Sequence, residues 1–360
     1  MKTCLGLMSG TSLDGIDVAW LRTDGGVVCE KGPWATYPYG EGDRKTIGSA
    51  FGQKEINTDI ERLITAQHAA AVNRFLNEQG IESGTVDLIG FHGQTTFHDP
   101  AHGVTVQLGD GDLLAEMTGI DVVSDFRSAD MAAGGEGAPF APLYHAALAS
   151  QLEKPLAVLN VGGVANVTWI GKGGDEILAF DTGPGNALLD DWCFARRGQS
   201  CDEDGRLAFT GHVDALLLTD LLSHPYFRKR PPKSLDRETF ASWTKSIAGD
   251  QSDENGAALL TAFTAASVGR ALEHLPEEPK RWLVCGGGRH NRAIMLALQQ
   301  ALDVPVEPVE AVGWDGDAIE AQAFAYLAVR SLKGLPLSLP GTTGVKAPQT
   351  GGRLSKAENH

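Results

Sequence analysis

Short apolar runs, each broken by a cluster of glycine, serine or threonine, recur along the chain and predict strands joined by tight turns. Residues 5–8 form the first run, and residues 16–21 follow a Gly/Ser/Thr turn as its antiparallel partner. Between residues 58 and 79 the spacing changes. Ile60, Leu63, Ile64, Val72, Phe75 and Leu76 recur on one face of a predicted helix, and Gly80 stands where a C-terminal cap belongs. Residues 87–91 read as a buried strand running into His92-Gly-Gln-Thr95, with further strands at 104–108 and 120–123.

The glycine-rich stretch 132–137 separates this half from a second one beginning near Pro139. There, residues 156–159, 167–170 and 177–180 read as strands, the last ending on Asp181. A strand at 282–285 meets Gly286-Gly-Gly288, and a helix over 315–331 closes the half. The hairpins at 5–21 and 156–170 share one pattern: apolar strand, small-residue turn, apolar strand carrying a tryptophan (Trp20, Trp169). That repeat predicts a duplicated αβ unit, with domains over 1–135 and 136–340 and a tail over 341–360.

Composition narrows the class. The 360-residue chain is 42% hydrophobic and 21% charged, as ordinary folded proteins are. Its 44 glycines follow apolar runs rather than forming low-complexity tracts. A formal charge of −16 argues against a nucleic-acid or anionic-membrane partner, both of which need positive potential. The 5 cysteines are scattered without a CxxC pair, which suits a reducing cytoplasm and offers no zinc site. No run approaches membrane length.

Three glycine-rich turns follow strands. Gly10, Thr11, Ser12, Leu13, Asp14, Gly15, Ile16 and Asp17 combine clustered backbone N–H groups with two hydroxyls, a surface that suits polyphosphate. Asp14 and Asp17 would hold Mg²⁺ through water. Taken alone, the segment also reads as a plain hairpin turn. Asn160, Gly162 and Gly163 form the matching turn of the second half; Gly286, Gly287, Gly288 and Asn291 end a strand and open a helix, where an anion or a flat nucleoside can approach. Asp181, at a strand end in Phe180-Asp-Thr-Gly-Pro-Gly-Asn186, reads as a general base or as the N-cap of the following helix.

Other side chains carry weaker signals. Glu320 lies four and seven residues before Phe324 and Leu327, on their stripe, where a carboxylate pairs with a buried cation, reaches a ligand hydroxyl, or sits at a surface edge. Arg127 could receive an anionic substrate group bidentately. Arg228, Lys229, Arg230 and Lys233 make a basic patch, either simply solvated or facing an anion. His92, His98 and His102 match no zinc spacing and read as loop histidines ordering a pocket, with a structural metal as the other reading.

Taken in order, these segments resemble the anhydro-N-acetylmuramic acid kinases. The resemblance runs through Met8-Ser-Gly-Thr-Ser-Leu-Asp-Gly-Ile-Asp17, Phe91-His-Gly-Gln-Thr95, Phe126-Arg127, Asn160-Val-Gly-Gly163, Phe180 to Asn186, Gly286-Gly-Gly288, Asp317-Ala-Ile-Glu320 and Thr343-Gly344. Leu235-Asp236 departs from the small-residue pattern expected there. The resemblance implies an α/β, two-domain duplicated fold of the acetate/sugar kinase, heat-shock chaperone and actin type, with nucleotide in the interdomain cleft. It further implies ATP and Mg²⁺, residues 10–17 on the phosphates, Asp181 as the catalytic aspartate, and a homodimer. The implied reaction converts 1,6-anhydro-N-acetylmuramic acid, ATP and water to N-acetylmuramic acid 6-phosphate and ADP in bacterial cell-wall recycling. Thr95, Arg127 and Glu320 would then contact the sugar substrate, Arg127 through its lactyl carboxylate. A hexokinase-like sugar kinase, a partner-binding nucleotide switch, and a glycoside hydrolase pairing Asp181 with Glu320 share parts of this inventory.

Overall fold

The computed structural model describes residues 1–235 and 237–357, without the side chains of Arg237 and Glu238. Asp236, in the loop that departs from the family pattern, and the last three residues of the predicted tail therefore lie outside the described residues. The chain divides into two compact units, Met1–Ser150 with Ala318–His360, and Gln151–Asp317.

In the first unit, β1 (Lys2–Ser9), β2 (Gly15–Thr23) and β3 (Val28–Pro38) form an antiparallel meander. Strand β4 (Leu88–Asp99) joins β1 in parallel; β5 (Val104–Leu108) folds back on β4, and β6 (Val122–Ser124) extends the parallel side. In the second unit, β7 (Leu156–Val161), β8 (Val164–Ile170) and β9 (Ile177–Pro184) repeat the meander. Strands β10 (Trp282–Cys285) and β11 (Val306–Pro308) repeat its parallel extension. The orders β3-β2-β1-β4-β6 and β9-β8-β7-β10-β11 are thus the same, with the same strand senses. The internal repeat predicted from the two hairpins is a repeat of whole sheet topology.

Alternation along β1 sends side chains to opposite faces. Leu5 and Leu7 enter a core with Ile60, Ile64, Val72 and Phe75 of the Thr58–Gln79 helix. That helix has the predicted bounds because Asn57 accepts from the Asp59 and Ile60 amides and Gly80 adopts φ 62°. The opposite face of the sheet receives the Ile319–Leu332 helix at backbone distance. A Cβ on Gly6 would lie 1.7 Å from the Ala321 carbonyl oxygen, and one on Gly90 2.1 Å from that of Phe324. In the second unit Leu159 and Val161 pack with Leu259 and Phe263 of the Asp253–Ala271 helix and Ile294 of the Arg292–Ala301 helix.

The last long helix differs from expectation. It begins at Ile319, not 315, because the preceding residues are engaged elsewhere: the Gly316 amide donates to Glu310 (3.1 Å) and Asp317 pairs with Arg289 (2.8 Å). It is also buried on every side from Ala321 to Val329, so it has no stripe for Glu320 to share; Glu320 lies exposed in the first turn.

The close helix–sheet approach makes a direct prediction. Gly6→Ala should lower unfolding free energy by ~3 kcal/mol or more, because overpacking against backbone cannot relax by rotamer change. Gly42→Ala, at an exposed helical position with no atom within 4 Å, should instead gain about 0.5 kcal/mol. Urea midpoints of the two variants measure the contrast.

Candidate active site

In the first unit, residues 10–14 turn the chain between β1 and β2. The Leu13 amide donates to the Gly10 carbonyl (3.2 Å), and Leu13 itself takes φ 56°. That left-handed conformation costs a leucine about 1 kcal/mol. Burial offsets it, since the Leu13 side chain sits in the core while Thr11, Ser12 and Asp14 face solvent. Ile16 is likewise a core side chain, so Leu13 and Ile16 can offer a ligand only their backbone. Gly15 admits no side chain because a Cβ would lie 2.7 Å from the Tyr37 carbonyl oxygen.

Polar groups not foreseen from the sequence hold this turn. Buried Gln94 accepts from the Ser9 hydroxyl (2.7 Å) and donates to the Gly10 carbonyl (3.3 Å), and Tyr39 lies 3.0 Å from the same hydroxyl. Arg44 donates to the Ser12 carbonyl (3.0 Å) and lies 3.6 Å from the Asp14 carboxylate. No sequence spacing links Arg44 or Gln94 to the turn; only the fold brings them there.

Among the described residues no group of three His, Cys, Asp or Glu side chains could hold a metal ion. An Mg²⁺ ion that keeps its water and binds chiefly to phosphate needs only one or two carboxylates. Exposed Asp14 fits that donor set; Asp17 already accepts from the Thr36 hydroxyl (2.5 Å).

The sugar-binding expectations Thr95, Arg127 and Glu320 all fall in the first unit. Arg127 donates to His92 Nε2 (2.8 Å) and to the Gly137 carbonyl, while its Nε–H is buried without a partner among the described residues. Burial lowers its pKa to about 10, and the nearby carboxylates of Glu320 and Asp130 oppose that shift. Thr95 accepts from Gln107 (3.3 Å) across β4 and β5. His92 and His98 lie on β4, not in loops, because the strand continues to Asp99. His92 is a neutral acceptor toward Arg127: its Nδ1–H donates to the Gly93 carbonyl (2.8 Å), and its ring lies against Phe324 (4.5 Å).

In the second unit the Gly162 and Gly163 carbonyls accept from the Asn186 (2.7 Å) and Gly185 (3.0 Å) amides, pinning the turn to the segment after β9. Gly286 takes φ 75°, and a Cβ there would lie 2.2 Å from Asn160 Oδ1. Arg289, its side chain buried, ties this loop down through the Gly286 carbonyl (3.1 Å), Glu310 (2.9 Å) and Asp317. Asn291 caps the Arg292–Ala301 helix by accepting from the Ala293 and Ile294 amides. The helix after the glycines therefore opens at Arg292, a short 3-10 turn intervening.

Strand β9 runs three residues past Asp181, and the next helix starts at Ala187 with Asn186 at its N-cap position. Asp181 is therefore not a helix cap. Its Oδ2 accepts from the Leu235 amide (2.7 Å), its own amide donates to the Lys233 carbonyl (3.1 Å), and the Tyr226 hydroxyl donates to its carbonyl (2.5 Å). Lys233 is buried, unlike exposed Arg228, Lys229 and Arg230, so it does not belong to the solvated patch the sequence suggested.

A sequence model described as anhydro-N-acetylmuramic acid kinase matches residues 2–356. A protein of that name from Paramagnetospirillum magneticum is 57% identical over 349 residues, covering 97% of this chain and 98% of the relative. The chain belongs to the anhydro-N-acetylmuramic acid kinase family. A second anhydro-N-acetylmuramic acid kinase, from Rhodospirillum rubrum, is 55% identical over 97% of this chain and 92% of its own. Among solved structures, the activator of the 2-hydroxyisocaproyl-CoA dehydratase from Clostridium difficile with bound ADPNP is similar at 12% identity and TM-score 0.49, over 92% of this chain and 96% of that one.

Buried His68 and His92 and half-buried His98 of this kinase-family chain lower its stability in acid. Burial pushes His68 and His98 down to about 4 and His92 well below 6.5, with the Arg127 charge adding to the shift at His92 and His98. All three are neutral in the folded protein and take a proton more readily unfolded. Their stabilisation is complete above pH 6.5 and is lost as pH falls from 6.5 toward 4. Urea unfolding should give a free energy lower by about 2 kcal/mol or more at pH 5 than at pH 7.5. His68→Gln should reduce that slope by about one proton; an unchanged slope would contradict the assignment.

Proposed function

We propose that the chain catalyses the ATP-dependent hydrolytic phosphorylation of 1,6-anhydro-N-acetylmuramic acid to N-acetylmuramic acid 6-phosphate and ADP. One observation carries the reading. At 57% identity over nearly the whole of both chains, it shares its sequence with a protein named for this kinase activity. The constrained Asp181 carboxylate supplies the group the chemistry needs. Asp181 takes a proton from water, and the water oxygen attacks the anomeric carbon. The bond from C1 to O6 breaks, and O6 takes the γ-phosphoryl group as ADP leaves; the proton held by Asp181 passes to solvent. An acceptor on Asp181 is worth roughly 10²- to 10⁴-fold in rate.

The remaining residues position and neutralise. The segment Gly10 to Asp17 is assigned to the ATP phosphates through the Thr11 and Ser12 hydroxyls and those turn amides that are not, like that of Leu13, already bonded within the turn. Asn160, Gly162, Gly163, Gly286, Gly287, Gly288 and Asn291 are assigned to the nucleotide as well. Mg²⁺, held at Asp14 with Asp17 behind it, would offset the negative charge that develops during transfer. Arg127 takes the lactyl carboxylate, while Glu320 and Thr95 accept and donate to sugar hydroxyls. Glu320, exposed in the first turn of its helix, acts on Arg127 through its charge. A cytoplasmic homodimer serving cell-wall recycling and amino-sugar catabolism fits the family; among the described residues no helix is long and apolar enough to cross a membrane.

ADP release measured over a panel of amino sugars, with and without the anhydro bridge, should show turnover with the bridged muramic acid. Asp181→Asn should lower that turnover about 10³-fold and leave ATP affinity nearly unchanged. Near-wild-type rates in that variant would shift the base assignment to Glu320.

A further inference from the structure

The loop after the Pro225–Arg228 turn brackets Asp181 from both sides. The Lys233 carbonyl accepts from the Asp181 amide, and two residues later the Leu235 amide donates to Asp181 Oδ2. Between these bonds the chain buries one charged side chain. The Lys233 ammonium lies over the Tyr226 ring at 4.6 Å and the Phe180 ring at 5.5 Å, and both residues also belong to the Asp181 surroundings: Phe180 precedes it, and Tyr226 donates to its carbonyl. Ring faces attract a cation but do not replace water fully, so a buried ammonium needs a counter-charge. Among the described residues, the carboxylates that act on it are Asp181 and Glu273; Arg270 and Lys229 act against its charge, and His274 feels its field in turn. A lysine whose stem alone was needed for packing could keep its head in solvent, as Arg228, Lys229 and Arg230 do.

We propose that Lys233 is a positioning residue for Asp181, its charge keeping the carboxylate ionised while the Leu235 amide fixes its orientation. This rests on the reading of Asp181 as the base. An ionised acceptor is what proton removal from water requires, and a neighbouring cation favours the ionised form. Burial also brings Lys233 down to about 8, so its charge is present below that pH and lost above it. Turnover therefore falls as pH rises through about 8.

The test compares wild type, Lys233→Met and Lys233→Arg in full-length protein, each checked for ATP binding and thermal unfolding. For wild type, kcat with ATP and the anhydro-sugar should decline above pH 8. Lys233→Arg should keep most of the activity and lose the alkaline decline, because a guanidinium stays charged. Lys233→Met should lower kcat about tenfold, remove the alkaline decline and move the acid limb upward, with KM for ATP within about twofold of wild type. A second readout needs no turnover: the ¹⁵N signal of the Lys233 ammonium, assigned by its loss in Lys233→Arg, should titrate at lower pH in Asp181→Asn than in wild type. Unchanged pH profiles in both Lys233 variants, with Asp181→Asn inactive, would overturn the proposal and leave the base assignment standing. An unshifted Lys233 titration in Asp181→Asn would overturn it equally. Full activity in Asp181→Asn would instead remove the base assignment, and the proposal with it.

Discussion

The first unit depends on a contact in which side chains are absent. The Ile319–Leu332 helix lies so close to β1 and β4 that only glycine fits at positions 6 and 90. Two peptide backbones in van der Waals contact exclude water from both, and every polar group between them must already be bonded within its own helix or strand. The close seating fixes the helix in register and height. Phe324 is thereby set against His92, His92 against Arg127, and Glu320 at the exposed first turn, where its charge acts on the same arginine. Farther along, Arg330 donates to the Gly25 carbonyl (2.7 Å) and Tyr144 to Gln322 (2.7 Å), so both ends of the helix are held. A helix from the end of the sequence thus supports groups encoded two hundred residues earlier.

The second unit repeats the topology and uses a different device at the corresponding place. Its turn at Gly162 and Gly163 is held by amides of the segment following β9, and Gly185 must be glycine because a Cβ there would lie 2.0 Å from the Gly162 carbonyl oxygen. The nearby Gly286 loop is anchored through the buried guanidinium of Arg289. In both units, glycines commonly read as ligand-approach positions are also required by packing of backbone on backbone. Glycine clusters therefore carry two meanings here, and only neighbours distant in sequence separate them.

What could be read from the sequence was local or periodic. The Thr58–Gln79 helix was legible because its apolar face lies within the segment and Gly80 follows it directly; the Asn57 N-cap emerged only in the structure. The hairpins were legible because strand, turn and partner are contiguous, and their repetition pointed to a duplicated fold. Asp181 stood out by its place beside a strand, although the strand runs on past it. What could not be read depended on long-range packing. Lys233 looked like one more cation in a basic run, yet the rings of Tyr226 and Phe180 bury it. Gln94 and Arg44 reach the Gly10 turn only through the pairing of β1 with β4 and the placement of the Glu41–Gly48 helix. Glu320 shared a helical spacing with Phe324, but a helix buried all round has no polar side, and its end position decided its exposure.

In the proposed reaction water, not a sugar hydroxyl, is the first species that loses a proton to Asp181. Turnover of the anhydro-sugar with ATP in ¹⁸O-labelled water, followed by mass spectrometry of the phosphorylated product, reads this directly. The proposed reaction gives product with one labelled oxygen, located at C1, and none in the phosphoryl group. Product formed without label at C1 would contradict it and leave an ordinary hydroxyl phosphorylation in its place.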